Sequence, residues 1–115
     1  MEKNRLGVWG EMIAKKYLKN KGYSILETNW RHHHKEVDII AWQRNKLIGI
    51  EVKTRKNYTN LAFTILKPAQ VHRIRLALKA YCLAHFLDYN QSRLDLIIIQ
   101  IKNRKIVVIK HQQDI

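Results

Sequence analysis

Glu36-Val-Asp-Ile-Ile-Ala-Trp-Gln-Arg-Asn-Lys-Leu-Ile-Gly-Ile-Glu-Val-Lys53 is the stretch on which the fold turns. It reads as two β-strands, Glu36 to Trp42 and Lys46 to Lys53, joined by the short polar segment Gln43-Arg-Asn45, and so as a hairpin. Strand side chains alternate between faces. Glu51 and Lys53 therefore share a face with Gly49, while Ile48, Ile50 and Val52 take the other. A carboxylate and an ammonium on an otherwise apolar strand, with Asp38 on its neighbour, call for a chemical reason.

Outward from the hairpin the pattern stays that of one α/β domain over residues 1–115. Residues 5 to 21 read as an amphipathic helix with Leu6, Gly10, Ile13, Ala14, Tyr17 and Leu18 on one stripe and Gly22 as its stop. Tyr23 to Trp30 reads as a first strand and Arg31 to Lys35 as a polar turn. Beyond the hairpin, Arg55 to Asn60 reads as a polar loop. A second helix is expected from Pro68 to about Phe86, with Val71, Ile74, Leu78, Tyr81 and His85 turned to the core. Arg93 to Gln100 reads as an interior strand, Asn103-Arg104 as a turn and Lys105 to Lys110 as a last strand. The order is α-β-β-β-α-β-β, a mixed sheet flanked by helices, with no internal repeat.

Composition narrows the partner. In 115 residues, 22 Lys+Arg stand against 9 Asp+Glu, a net charge of +13. Such a surplus suits a polyanion, because each neutralised phosphate releases condensed counterions. Nucleic acid is the expected partner, with an acidic membrane surface or acidic protein as the alternatives. Cys82 is the one cysteine and sits in an apolar stretch, so it reads as a buried structural thiol and excludes a disulfide framework. The amino terminus leads into no apolar signal segment and no run approaches a membrane span, which points to the cytoplasm.

The chemistry follows from charge types and spacing. Asp38 and Glu51, on adjacent strands, would converge on a hard cation, Mg²⁺ or Mn²⁺, which prefers oxygen ligands. Lys53 would orient a water and stabilise developing negative charge during phosphodiester hydrolysis. Glu11, at the border of the first helix's buried stripe, would lean over the sheet as a further acid. On spacing alone, a buried Glu51–Lys53 ion pair, or surface acids balancing a basic load, explains the triplet equally well.

Gly10-Glu11, Gly22-Tyr23, Asn29-Trp-Arg31, Glu36-Val-Asp-Ile-Ile40, Ile50-Glu-Val-Lys-Thr-Arg55, Lys67 and Arg93-Leu-Asp95 together resemble the small bacterial YraN-type proteins. These are similar in turn to archaeal Holliday-junction resolvases and the PD-(D/E)xK nuclease superfamily. The resemblance runs from about residue 5 to residue 100. It implies a restriction-endonuclease-like fold, a metal-dependent endonuclease acting on DNA, and Glu11, Asp38, Glu51 and Lys53 as the active-site set. One position departs: the family's glycine before the acidic strand is Lys35 here, which would shift Glu36 or add a phosphate contact. A non-catalytic nucleic-acid-binding module on the same fold, and a basic scaffold protein, are the rival readings. Symmetric cutting of a junction would call for a homodimer.

Several weaker signals complete the reading. Glu36 and Gln70 are supporting candidates at the site. Arg55, Lys56, Lys67, Arg75 and Lys79 are candidate phosphate contacts, Arg75 and Lys79 falling on one helix face. His32-His33-His34 reads as a solvated basic turn rather than a metal site, since adjacent residues on an extended segment diverge. Trp9, Trp30 and Trp42 are core candidates, and Arg93 with Asp95 is a structural ion pair.

Overall fold

Arg44 and Asn45 turn the chain with φ of 51° and 63°, the two-residue turn whose twist matches that of antiparallel strands. In the computed structural model, which describes residues 5–56 and 66–115, this turn joins β2 (Lys35–Gln43) to β3 (Lys46–Lys56). Asn103 and Arg104 repeat the device, at 52° and 61°, between β4 (Ser92–Lys102) and β5 (Lys105–Gln112). Helix α1 (Arg5–Asn20) and strand β1 (Ser24–His32) precede the first hairpin. Helix α2 (Pro68–Ala84) and a short 3₁₀ turn at Tyr89–Gln91 separate the two hairpins. The order matches the sequence expectation, with that 3₁₀ turn added.

The five strands lie side by side in chain order, β1 to β5. Three neighbouring pairs are antiparallel, and β3 with β4 is parallel, so the sheet is mixed. A parallel pair needs a crossover, and α2 supplies it. The two helices cover opposite faces. A Cβ placed on Gly49 would meet the Leu78 methyls of α2 at 3.1 and 3.2 Å, whereas Ile48 and Ile50 pack with Ala14 and Leu18 of α1. With both faces covered, the central strands are apolar on both sides, as in Leu94 and Leu96 to Ile99 of β4. Trp9, Trp30 and Trp42 all pack against the core as expected. Among the described residues, no helix is long and apolar enough to cross a membrane.

The structure corrects three boundaries. β3 continues to Lys56, so Arg55 and Lys56 are strand residues, held by a parallel ladder that reaches Lys56↔Ile101. Residues 57–60 of the expected loop lie outside the described residues, as do residues 1–4. The polar turn shrinks to His33-His34, because His32 pairs with Lys35. His85 is exposed at the end of α2, its ring stacked on Tyr81 at 3.9 Å. The buried residues of α2 are Ile74, Ala77, Leu78, Tyr81 and Cys82, with Val71 packed against them; His85 falls outside because the helix ends at Ala84 and His85 is its C-cap. Burial pushes the Cys82 thiol above its ordinary 9.0, which fits an inert packing residue.

The helices stop in the same way with different residues. Past α1, Gly22 takes φ 89° and Tyr23 N–H donates to Leu18 O at 3.0 Å. Past α2, Leu87 N–H donates to Cys82 O at 2.9 Å across Phe86, which holds φ 57°. Left-handed backbone suits glycine and strains phenylalanine. The Phe86 side chain is 97% exposed, so little packing offsets that strain. Phe86→Gly is expected to raise unfolding stability by up to about 1 kcal/mol, read from the urea midpoint; an unchanged or lower midpoint would refute the strain.

Asp95 ties α1, β1, β4 and β5 together with no solvent exposure. Arg93 grips it through Nε at 2.9 Å and a second nitrogen at 3.1 Å, His111 Nε2 stands 2.7 Å away, and Asp114 N–H donates at 3.0 Å. With its proton on Nε2, His111 donates to Asp95 and its Nδ1 accepts from Tyr17 Oη at 3.1 Å. Arg93 also donates to Tyr23 Oη at 3.0 Å. Burial pushes the Asp95 carboxyl up, but hydrogen bonds from His111 and Arg93 outweigh it and hold the carboxyl below its ordinary 3.8. A depressed carboxyl contributes stability that is complete above pH 3.8 and drains away as the pH falls through the lower folded-state value. Asp95→Asn is therefore expected to flatten the acid limb of stability against pH below about pH 4. At neutral pH it should cost about 3–5 kcal/mol, by leaving Arg93 uncompensated. Urea titrations at a series of pH values check both, and an unchanged acid limb would refute the linkage.

Candidate active site

The ladder between β2 and β3 runs from Gln43↔Lys46 to Ile39↔Ile50 and stops there. One further step in that register would face Asp38 with Glu51, and a second would face Val37 with Val52. Instead the two strands part. On their outer sides, β2 stays on β1 through Trp30↔Val37 and Arg31↔Glu36, and β3 stays on β4 through Glu51↔Leu96 and Lys53↔Ile98. Val52 N–H would be an orphan at the parting. It donates to Asp38 Oδ2 at 2.8 Å. A carboxylate replaces a backbone carbonyl as the ladder's last acceptor, and it is lodged one residue from Glu51.

Glu51 and Lys53 are half-buried on the α2 side of the sheet, the side of Gly49. Their ladder partners Leu96 and Ile98 are fully buried, so the charged pair sits beside an apolar strand where fields are poorly screened. By alternation Arg55 continues the same face; one of its nitrogens donates to Thr54 O at 3.1 Å. The crossover brings the start of α2 back to this end of the sheet. There Lys67 precedes the helix and its N–H donates to Gln70 Oε1 at 3.1 Å, which gives Gln70 a capping role.

Glu11 arrives from the other face. Helix α1 touches β3 so closely that a Cβ on Gly10 would stand 1.9 Å from Thr54 Oγ1. That contact buries the adjacent Glu11, whose Oε2 accepts from Asn29 Nδ2 at 3.3 Å. Asn29 lies between the pairs Thr28↔Ile39 and Trp30↔Val37, hence opposite Asp38. Glu11 is thus linked to the strand position facing Asp38, from the side of the sheet opposite Glu51 and Lys53. Val8, Glu11, Met12, Lys15, Asn29, Arg31 and Glu36 line a cleft of about 390 Å³. Glu36 Oε2 pairs with Arg31 Nε at 3.1 Å.

The structure therefore brings Asp38 to the backbone beside Glu51, puts Lys53 further along the same strand face, and places Glu11 and Glu36 in the cleft on the α1 side. Among the described residues, no three His, Cys, Asp or Glu side chains gather into a metal-binding group. An ion at the parting would have the Asp38 and Glu51 carboxylates as its nearest acids along the strands. That fits magnesium, which keeps several waters and is held by one or two carboxylates together with substrate phosphate oxygens.

Other expectations move. Lys35 opens β2 in an ordinary strand conformation, and the residue with φ 58° is His33, so nothing there requires the glycine. Arg75 is half-buried and donates to Ile115 O, which takes it out of an exposed phosphate patch. Lys79 lies on α2 about 16 Å along the axis from Pro68, away from the site. His32 and His33 meet edge to face at 4.3 Å, with the Trp30 ring stacked on His32 at 6.1 Å. Sequence reasoning gave no role to Asn29 or His111. The signal for Asn29 was an asparagine inside a strand pattern, a residue that tolerates the left-handed φ of 52° it adopts. His111 carried no local signal.

Gly10→Ala is expected to destabilise the chain by about 1–3 kcal/mol through overpacking against a stiff β-branched residue. Thr54→Ala in the same chain should recover part of that loss. Additive effects in the double-mutant cycle, read by urea unfolding, would show that the helix–strand contact is not what limits position 10.

The uncharacterised protein family UPF0102 matches residues 10–99. A UPF0102 protein of Flavobacterium psychrophilum is 40% identical over 114 residues, covering 98% of this chain and 94% of its own. A UPF0102 protein of Christiangramia forsetii is 43% identical over 115 residues, covering 98% and 94%. One from Chlorobium phaeobacteroides is 36% identical over 104 residues, covering 87% and 80%.

Proposed function

The chain belongs to the UPF0102 family, and from that premise we propose that it is a metal-dependent endonuclease of the PD-(D/E)xK type, hydrolysing phosphodiester bonds in DNA. The observation that carries this reading is the parting of β2 and β3, where Asp38 and Glu51 flank one gap and Lys53 follows on the same face as Glu51. Asp38 and Glu51 would hold Mg²⁺ or Mn²⁺. The ion, when bound, would supply a lowered water pKa and neutralise phosphate charge.

The chain's own residues do the rest. The Lys53 ammonium, on the face of Glu51, orients the attacking water and meets negative charge as it develops on the phosphate. Arg55 and Lys67, both at this end of the sheet, hold the flanking backbone. Glu11, tied to Asn29, supports the Asp38 side of the gap. The apolar strand beneath keeps the site poorly screened, which strengthens each of these contacts.

The test is cleavage of labelled duplex, flapped and branched DNA with Mg²⁺ or Mn²⁺. Asp38→Asn keeps an acceptor for Val52 N–H, and Glu51→Gln keeps its shape, so both are expected to fold. Each, like Lys53→Ala, should lose cleavage by about a hundredfold or more, and a chelator should abolish it in the parent. Mn²⁺ should also raise the parent's melting temperature and leave that of Glu51→Gln little changed. Cleavage equal to the parent's in all three variants would overturn the assignment.

A further inference from the structure

The cleft beside Glu11 continues along the helix. Met12 and Lys15 line it and also line a second depression of about 300 Å³ with Lys16, Lys19 and Asn20. The two depressions therefore adjoin along α1, from the cleft beside Glu11 towards the C-terminal end of the helix. Val8, Met12, Lys15 and Lys19 recur at four, three and four residues, which puts them on one outward stripe. The stripe is graded. Val8 and Met12 are apolar yet 45% and 59% exposed, and beyond them come Lys15 and Lys19. No acid interrupts the helix between Met12 and Asn20. Within the cleft the acids already have partners, Glu36 on Arg31 and Glu11 on Asn29.

We infer that α1 is a track for one strand of nucleic acid, entering from the cleft and leaving over Lys15 and Lys19. This rests on the proposed nucleic-acid partner, not on turnover. Lys15 and Lys19 stand about 6 Å apart along the helix axis, about two nucleotides of a B-form strand. Val8 and Met12 give the sugar edge an apolar contact where the strand meets the cleft. The second helix, where the sequence placed this role, is less suited, since Arg75 is engaged by Ile115 O.

Binding of fluorescent single-stranded and duplex oligonucleotides, titrated against salt in chelator, tests the track. Lys15→Ala with Lys19→Ala should weaken binding and reduce the slope of log affinity against log salt by about 1.4 for single strands or 1.8 for duplex. Arg73→Ala with Lys79→Ala removes equal charge from exposed positions on the other helix and should leave the slope unchanged. Equal slope losses in the two variants, or an unchanged slope in the first, would overturn the track. So would a parent chain that binds anionic vesicles but no oligonucleotide, or neither. Binding is read with metal chelated, so it is independent of cleavage: a chain that binds through α1 yet cuts nothing when Mg²⁺ or Mn²⁺ is supplied would refute hydrolysis and leave the track standing.

Discussion

A single backbone N–H, that of Val52, organises this sheet. At Ile39↔Ile50 the central hairpin stops pairing, and an unmet N–H next to buried strands would cost about 1–3 kcal/mol. Asp38 meets it with a carboxylate oxygen. The ladder can then end inside the domain rather than at its edge, and a gap opens between two strands whose outer neighbours stay paired. The same hydrogen bond that closes the backbone account fixes an acid beside Glu51. Structure and candidate chemistry rest on one contact.

The opposite requirement holds on the α1 side, where a helix must come close enough to cover the sheet beside that gap. Gly10 permits it, having no Cβ to strike Thr54 Oγ1. The next residue, Glu11, is carried into the interior by the same approach and accepts from Asn29. A bulkier residue at position 10 would lift the helix and take Glu11 with it. The Gly10-Glu11 pair thus acts as a unit: the first residue sets the distance and the second uses it.

Much of this was legible from residues alone, for physical reasons that differ by element. The β2–β3 hairpin announces itself because alternation and the short polar segment Gln43-Arg-Asn45 agree. Helix α1 does so because its apolar period and Gly22 agree. The end of α2 was hidden, since Phe86 does there the work Gly22 does for α1 and its sequence gives no stop. Arg93 with Asp95 was readable as an ion pair from spacing, but His111 and Asp114, 16 and 19 residues further on, join it only through the fold. At the candidate site, Asp38, Glu51 and Lys53 were singled out by type and spacing. The parting of the strands beside Asp38 was not legible, because register is a property of pairing rather than of either strand.

Asp38 and Asp95 show how one residue type is sorted into two roles. Both lie on strands and both take a backbone N–H. Asp95 is fully buried, and its oxygens are taken up by a guanidinium, an imidazole and the Asp114 N–H. Its charge is matched within the protein, and a ligand would have to break that match. Asp38 accepts from the N–H of Val52 and is half-buried, as is Glu51 beside that N–H. Under the proposed function the two would offer a divalent ion oxygen ligands of the kind a hard cation prefers. In a chain of net charge +13, that is the local exception to the prevailing field. Under that same proposal, a polyanion drawn to the surface by the basic residues would meet the ion at this gap, where its phosphate would approach.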